Sequence, residues 1–274
     1  MENITIDTGT DQLLCEIKDR VAVITLNRPE VRNALGDTIT PALRRMIRER
    51  AQDPNVGALL LTGAGKAFCA GGDIKGMGKR DPGSQKKSTE EKIADLKERQ
   101  RTLTGTLWKV EKPTVAVLPG PAAGAGLAIA LACDIRIAAE SAFISTGYAR
   151  VGLSGDYGIA WLLTQLVGTA RARELMFTAD RVDAMTCQQI GLINRIVPDV
   201  SLRDEAFIFS KRLANGPIIA LQHMKENLAD ALHAPFLSAL DGEAERLISS
   251  AQTNDHKEAV LAFIEKRDPK FTGT

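Results

Sequence analysis

The stretch "TVAVLPGPAAGAGLAIALACD", Thr114 to Asp134, constrains the fold of this chain more than any other. The run from Thr114 to Leu118 reads as a β-strand, and Pro119-Gly120 breaks it. A turn of glycine and alanine follows, then an apolar segment of helical length. A strand that passes through glycines into a helix presents bare backbone N–H groups at the positive end of that helix. Such an end holds negative charge. The turn therefore asks which charge is held there, and which residue acts on its owner.

The rest of the pattern makes this one unit of an α/β protein. "LLCEI" (Leu13–Ile17) and "VAVITL" (Val21–Leu26) read as two strands joined by a hairpin turn at Asp19-Arg20. Pro41 suits a helix start, with Ile39, Leu43, Met46 and Ile47 recurring at helical spacing. "VGALLLTG" (Val56–Gly63) is a buried strand that ends in "AGKAFCAGGDI". Residues 76–92, rich in Gly, Pro, Ser and charge, read as a mobile surface excursion. A helix from about Glu90 to Val110 leads to the strand at Thr114. "DIRIAA", "SAFIST" and "LINRIV" are further strands, and "YGIAWLLTQLVG" and "RARELMFT" are two helices. From Pro198 the pattern turns wholly helical. Helices are expected near residues 202–213, from Pro217, from Pro235 to Ser250 and from Asp255 to Lys266. The expected division is an α/β core at 1–198 and a helical region at 199–274.

Composition narrows the function classes. A net charge of +1 gives no basic face for nucleic acid and no acidic tail. The longest apolar run, Gly126–Cys133, is too short to span a bilayer. The N-terminus "MENITIDTGTDQ" is polar and acidic, unlike a signal peptide. Cys15, Cys69, Cys133 and Cys187 form no CxxC pair. They read as buried free thiols, which suits a reducing cytoplasm.

Familiar nucleotide and triad patterns fail. "TGAGKAF" lacks the first glycine of a phosphate loop, since Leu60 stands there. "GAGLAI" has Ile129 where a dinucleotide fingerprint needs its third glycine. The three histidines, His223, His233 and His256, all lie in the helical tail and read as surface helix residues. That argues against a Ser-His-Asp triad or a His-rich metal site. Proton transfer then falls to a carboxylate, a Tyr or a Lys with a shifted pKa. Two glycine-rich turns remain, "CAGGDI" and "PAAGAG", each after its own strand. Each alone is an ordinary tight turn. Together they can aim two N–H groups at one oxygen, which is an oxyanion hole made of backbone.

In "VAVITLNRPEVRNAL", "GALLLTGAGKAFCAGGDI", "KPTVAVLPGPAAGAGLAIALACDIRIAAESAFI", "VGLSGDYG" and "AMTCQQIGLINRIV", the chain resembles the crotonase superfamily, the enoyl-CoA hydratase/isomerase family. The resemblance runs from about residue 13 to residue 198, and the helical tail suits it. It implies a spiral of β-β-α units and a C-terminal helical region that assembles homotrimers, often paired as hexamers. It implies an acyl-coenzyme A thioester as substrate, with coenzyme A entering as part of that substrate and no separate cofactor. The thioester oxygen would lie between the N–H groups of Gly72 and Ala125. Ala70, Gly71, Asp73 and Ile74 would line the coenzyme A pocket. The family usually carries glycine at the position of Ala125, a change that leaves the backbone N–H in place.

Two departures matter. Hydratases of this family carry two glutamates, at positions that here hold Ala128 and Tyr148. The usual machinery for adding water is missing. Asp156, in "GLSGDYG", matches an acidic residue that some family isomerases carry. One carboxylate suffices to move a proton between two carbons, so isomerisation of an enoyl-CoA is the expected reaction. Hydration, hydrolysis and non-catalytic acyl-CoA binding are the alternatives. Asp156 also suits a helix N-cap before "YGIAWLL". Asp73 reads as shaping its own loop and Asp134 as structural. Tyr148 and Tyr157 are expected to touch substrate or to pack.

Overall fold

The computed structural model describes residues 3–73 and 87–274. In chain order its strands are β1 (Ile4–Ile6), β2 (Leu13–Lys18), β3 (Val21–Leu26), β4 (Ala58–Gly63), β5 (Thr114–Leu118), β6 (Ala122–Ala123), β7 (Ile135–Ala139), β8 (Phe143–Ser145), β9 (Val182–Asp183) and β10 (Arg195–Val197). One sheet has the order β1-β2-β3-β4-β5-β7-β10 and a second has β6-β8-β9. The first three strands are antiparallel neighbours, and from β3 to β10 the large sheet is parallel. Asp19 and Arg20 both take left-handed φ, 48° and 68°, as the expected two-residue hairpin turn requires.

The parallel strands repeat one unit. Each leaves the large sheet, makes a short second pairing and then turns. Thus β5 is followed by β6, which pairs with β8, and β7 is followed by β8 itself. After β4 the second pairing is reduced to isolated bridges, Cys69 with Ala122 and Leu35 with Gly72. This is the expected β-β-α spiral, and it stacks the exits of β4 and β5 side by side.

The helices are α1 (Ile39–Gln52), α2 (Thr89–Gln100), α3 (Gly124–Ala132), α4 (Ile159–Thr178), α5 (Ala184–Gln189), α6 (Leu202–Ala214), α7 (Ile218–Asp230), α8 (Phe236–Ala251) and α9 (Asn254–Glu265). Helix α1 starts at Ile39, two residues before the expected Pro41, which sits within its first turn where its missing N–H has no intrahelical role. Helix α2 carries the Ser88/Glu91 capping box and runs on through a π turn at Arg101–Gly105 to Trp108. Most of the expected surface excursion, 76–86, lies outside the described residues. Helix α4 contains the two helices expected from sequence, broken at Gly168, whose φ of 76° and ψ of 168° are non-helical. His233 is a correction: it lies in the exposed turn between α7 and α8, against Trp161, and not on a helix.

Leu13, Ile24, Leu43, Met46, Leu59 and Phe68 are among the fully buried side chains of the core. Asp134 serves structure, as expected. Its Oδ2 accepts from the Thr114 N–H and hydroxyl, both at 2.8 Å, and its carboxylate pairs with Lys225 of α7. All four cysteines are free and buried, and burial pushes the Cys69 and Cys133 thiols up to about 12.

Asn33 ties the loop after β3 to the exit of β4. It is fully buried at a φ of 57°. Its Oδ1 accepts from the Arg28 N–H (2.8 Å), and its Nδ2 donates to the carbonyls of Ala64 (3.0 Å) and Ala67 (2.8 Å). Asn33→Ala strands these three groups and puts a residue with poor left-handed tolerance at that φ. A loss of about 3 kcal/mol is expected in denaturant unfolding; a loss below about 1 kcal/mol contradicts this reading of the staple.

Candidate active site

The site is built where the exits of β4 and β5 meet. At Gly71 the φ is +90°, and a Cβ would lie 2.8 Å from the Ala123 carbonyl and 3.4 Å from the Ala125 nitrogen. Only glycine lets the two turns touch there. The loop is pinned from the other side, because Leu35 N–H donates to Gly71 O (2.7 Å) and Asp73 N–H donates to Leu35 O (3.0 Å). Between those bonded groups the Gly72 N–H makes no hydrogen bond among the described residues. Ala125 is the second residue of α3, so no preceding helical turn supplies an acceptor for its N–H. Ala123 at the cap position supplies no side-chain hydrogen bond either. Two backbone donors from two loops thus border one cavity, with the positive end of α3 behind one of them.

That cavity has a volume of about 780 Å³. Gly72, Asp73, Ala125, Asp156 and Tyr157 line it on the side of the turns, and Arg28, Arg44, Leu96 and Arg99 line it elsewhere. Of the residues expected at the site, Gly72, Ala125, Asp156 and Asp73 come together here. Ala70 and Gly71 shape the loop without lining the cavity. Ile74 lies outside the described residues.

Asp156 does not cap α4. Gly158 occupies the cap position with no side-chain hydrogen bond, and the Asp156 carboxylate instead accepts a 2.6 Å hydrogen bond from the Tyr148 hydroxyl. Tyr148 is 7% exposed. Its hydroxyl is held far above the usual tyrosine range, first by burial and then by the neighbouring carboxylate, so it stays a donor. Burial raises the Asp156 pKa above the ordinary carboxylate range, while the Tyr148 hydrogen bond pulls it back in part. A carboxyl group poised in this way both takes and returns protons.

The other two carboxylates of the cavity are set differently. Asp73 forms an ion pair with Arg28 at 3.5 Å, in keeping with a loop-shaping role, and Asp37 is almost fully exposed with Arg99 at 3.7 Å. Ala128, at the first missing glutamate position, is fully buried in α3. Among the described residues, no three His, Cys, Asp or Glu side chains stand where they could hold a metal ion. No helix among them is long and apolar enough to cross a membrane.

Sequence reasoning missed Arg44. It precedes Arg45 on a helix rich in arginine and looks like part of a solvated face. The one available signal is its place next to Leu43 and three residues before Ile47, at the edge of the buried stripe of α1.

Tyr148→Phe removes the hydrogen bond that favours the ionised Asp156. The acid limb of any rate that needs that carboxylate is expected to move to higher pH, since loss of a donor to the charged form raises the pKa. A pH–rate profile checks this, and a limb that stays put or moves down contradicts it.

Residues 16–274 match the family model described as enoyl-CoA hydratase/isomerase. The 1,2-epoxyphenylacetyl-CoA isomerase of Escherichia coli K12 is 33% identical over 95% of this chain and 98% of its own length. The short-chain-enoyl-CoA hydratase of Clostridium acetobutylicum is 33% identical over 94% of this chain and 96% of its own. Among solved structures, the enoyl-CoA hydratase of Bacillus anthracis superposes with a TM-score of 0.88 at 28% identity, covering 96% of this chain and 100% of its own.

Proposed function

The chain belongs to the enoyl-CoA hydratase/isomerase family of the crotonase superfamily, and within that family we propose that it is an enoyl-CoA double-bond isomerase with Asp156 as its single acid/base. The observation that carries this reading is the pairing of one half-buried, Tyr148-bonded carboxylate with two backbone donors around one cavity. The positions of the two hydratase glutamates hold Ala128 and Tyr148, which supply no base for water.

The proposed reaction begins with a 3-enoyl thioester whose oxygen accepts from the N–H groups of Gly72 and Ala125. The Asp156 carboxylate takes a proton from C2. The C2–H electron pair becomes the C1–C2 double bond, and the thioester π pair moves onto oxygen. That dienolate oxygen is what the two donors and the α3 end stabilise. Asp156 then returns the proton to C4, and the double bond settles between C2 and C3. Nothing is gained or lost overall. A donor pair of this kind lowers the barrier by about 2.7–4 kcal/mol per donor.

The reading includes coenzyme A as part of the substrate, gripped near Asp73 on the loop that Gly71 shapes. It includes a homotrimer, or a dimer of trimers, formed through the helical region 199–274. Large apolar side chains exposed there support assembly: Leu228, Phe236, Leu237, Leu247 and Phe263. Four free buried thiols suit a reducing compartment such as the cytoplasm.

Hydration is the second reading, favoured by the hydratase names of the Clostridium and Bacillus proteins. Product identification separates the two. Purified protein is given a 3-enoyl-CoA and a 2-enoyl-CoA, and products are resolved by mass and retention time. The proposal expects an equal-mass 2-enoyl product from the first. Gain of one water on the second, without isomerisation of the first, overturns it.

A further inference from the structure

Arginines with buried nitrogens differ sharply in how they are answered; Arg50 leaves its Nε without a partner but is held in an ion pair with Asp53. Arg136 is a buried residue of β7, and each of its nitrogens has an acceptor: Leu192 O at 2.6 Å, Cys133 O at 2.7 Å and Asn194 Oδ1 at 3.2 Å. It is a structural brace. Arg44 lines the cavity of the candidate active site, yet its Nε and Nη2 are buried with no acceptor among the described residues. Among the described residues it forms no ion pair, whereas the other two arginines of the cavity, Arg28 and Arg99, face Asp73 and Asp37. Buried donors left unanswered are costly and call for an explanation.

The position of Arg44 says which part of a substrate would answer it. Its guanidinium faces the Tyr157 hydroxyl, and Tyr157 directly follows Asp156. A carboxylate that serves C2 and C4 must stand beside the acyl chain. The neighbouring residue and its arginine therefore belong to the acyl end of the cavity. The coenzyme A end, where Asp73 meets Arg28, already has its charges paired. A planar fork of N–H donors matches a carboxylate with two parallel charge-assisted hydrogen bonds, and a methyl group offers it nothing.

Resting on the isomerase reading for the reaction but not for binding, we propose that Arg44 selects an acyl-CoA whose acyl group ends in a carboxylate. A small turn of the side chain's outer torsions presents the fork to the cavity, and the bound carboxylate satisfies the donors that the protein leaves open. Tyr157, whose hydroxyl the guanidinium already faces, steadies it. The substrate class is thus the mono-CoA thioester of an unsaturated dicarboxylic acid.

The test compares two probes of six acyl carbons, a 3-enoyl-CoA ending in carboxylate and hex-3-enoyl-CoA, on the wild type, Arg44→Met and Arg44→Lys. Each variant is first checked for cooperative thermal unfolding. The wild type is expected to favour the carboxylate-ended probe by about 10- to 100-fold in kcat/KM, the range for a charge-assisted pair. Arg44→Met is expected to collapse that ratio to about 3-fold or less, and Arg44→Lys to keep part of it. A wild type that prefers hex-3-enoyl-CoA, or an Arg44→Met protein that keeps the ratio, overturns the proposal. Titration calorimetry with both probes reads Arg44 whether or not turnover occurs. If neither probe isomerises, the isomerase reading fails, and a Kd ratio that depends on Arg44 still supports the carboxylate site. Equal Kd values for the two probes overturn it.

Discussion

Replacing Asp156 by asparagine is expected to lower isomerase kcat by about 10²- to 10⁴-fold, the share a positioned acid/base contributes. The loss should fall on kcat and leave acyl-CoA binding little changed, because the amide keeps the volume and still accepts from the Tyr148 hydroxyl. Stability should move the other way. The folded protein holds the Asp156 pKa above its unfolded value, chiefly by burial. The ionised group therefore costs stability, and that cost appears as pH rises from the unfolded pKa through the folded one. Above that window Asp156→Asn should melt at an equal or higher temperature than the wild type; below it the two should melt together. Stopped-flow turnover at pH 8 and melting curves at pH 3 and pH 8 check both statements. An asparagine variant with near-normal kcat removes Asp156 from the chemistry.

The second large effect belongs to Gly126→Ala. This glycine lies in the first turn of α3, next to Ala125. A Cβ there would meet the Cys69 carbonyl at 2.5 Å, its Cβ at 2.6 Å and its Sγ at 2.7 Å. Cys69 precedes the loop that carries Gly71 and Gly72. The added methyl therefore pushes the two halves of the donor pair apart. Overpacking of this kind costs about 1–3 kcal/mol, and a misplacement near 1 Å costs about 10²-fold in rate. Both losses are expected together, by denaturant unfolding and by kcat. Cys69→Ala alone should not restore activity in the double variant, since the backbone carbonyl of residue 69 is also in the way. Full rescue by that change would show that only the thiol matters, and that the backbone contact is slack.

The sequence made the parallel core legible because its strands are buried on both faces and read as unbroken apolar runs, as at Leu59–Leu61 and Val115–Leu118. The hairpin turn at Asp19-Arg20 and the break at Gly168 are legible for a local reason, since turn residues mark them. The second pairings were harder. Strands β6 and β9 are two residues long, too short for any periodicity to register. Asp156 shows the limit of local signals. Its place before a helix suits a cap as well as a catalyst, and only the fold, by bringing Tyr148 against it and leaving Gly158 at the cap, turns the side chain to the cavity. Arg44 was hidden for the opposite reason. A charged residue among others on an amphipathic helix looks solvated, and its unanswered Nε and Nη2 exist only in three dimensions. Gly72 and Ala125 were reached through the resemblance of their motifs; spacing alone left each turn an ordinary one.

In the proposed reaction one carboxylate moves one proton across an enolate held by two backbone donors. The most direct measurement is a single turnover of a 3-enoyl-CoA deuterated at C2, with the position of label in the 2-enoyl product read by mass spectrometry and NMR. If Asp156 both takes and returns the proton, a measurable fraction of product carries deuterium at C4. Product that carries only solvent hydrogen at C4, at the shortest reaction times, contradicts the single-carboxylate account and requires a second group to deliver the proton.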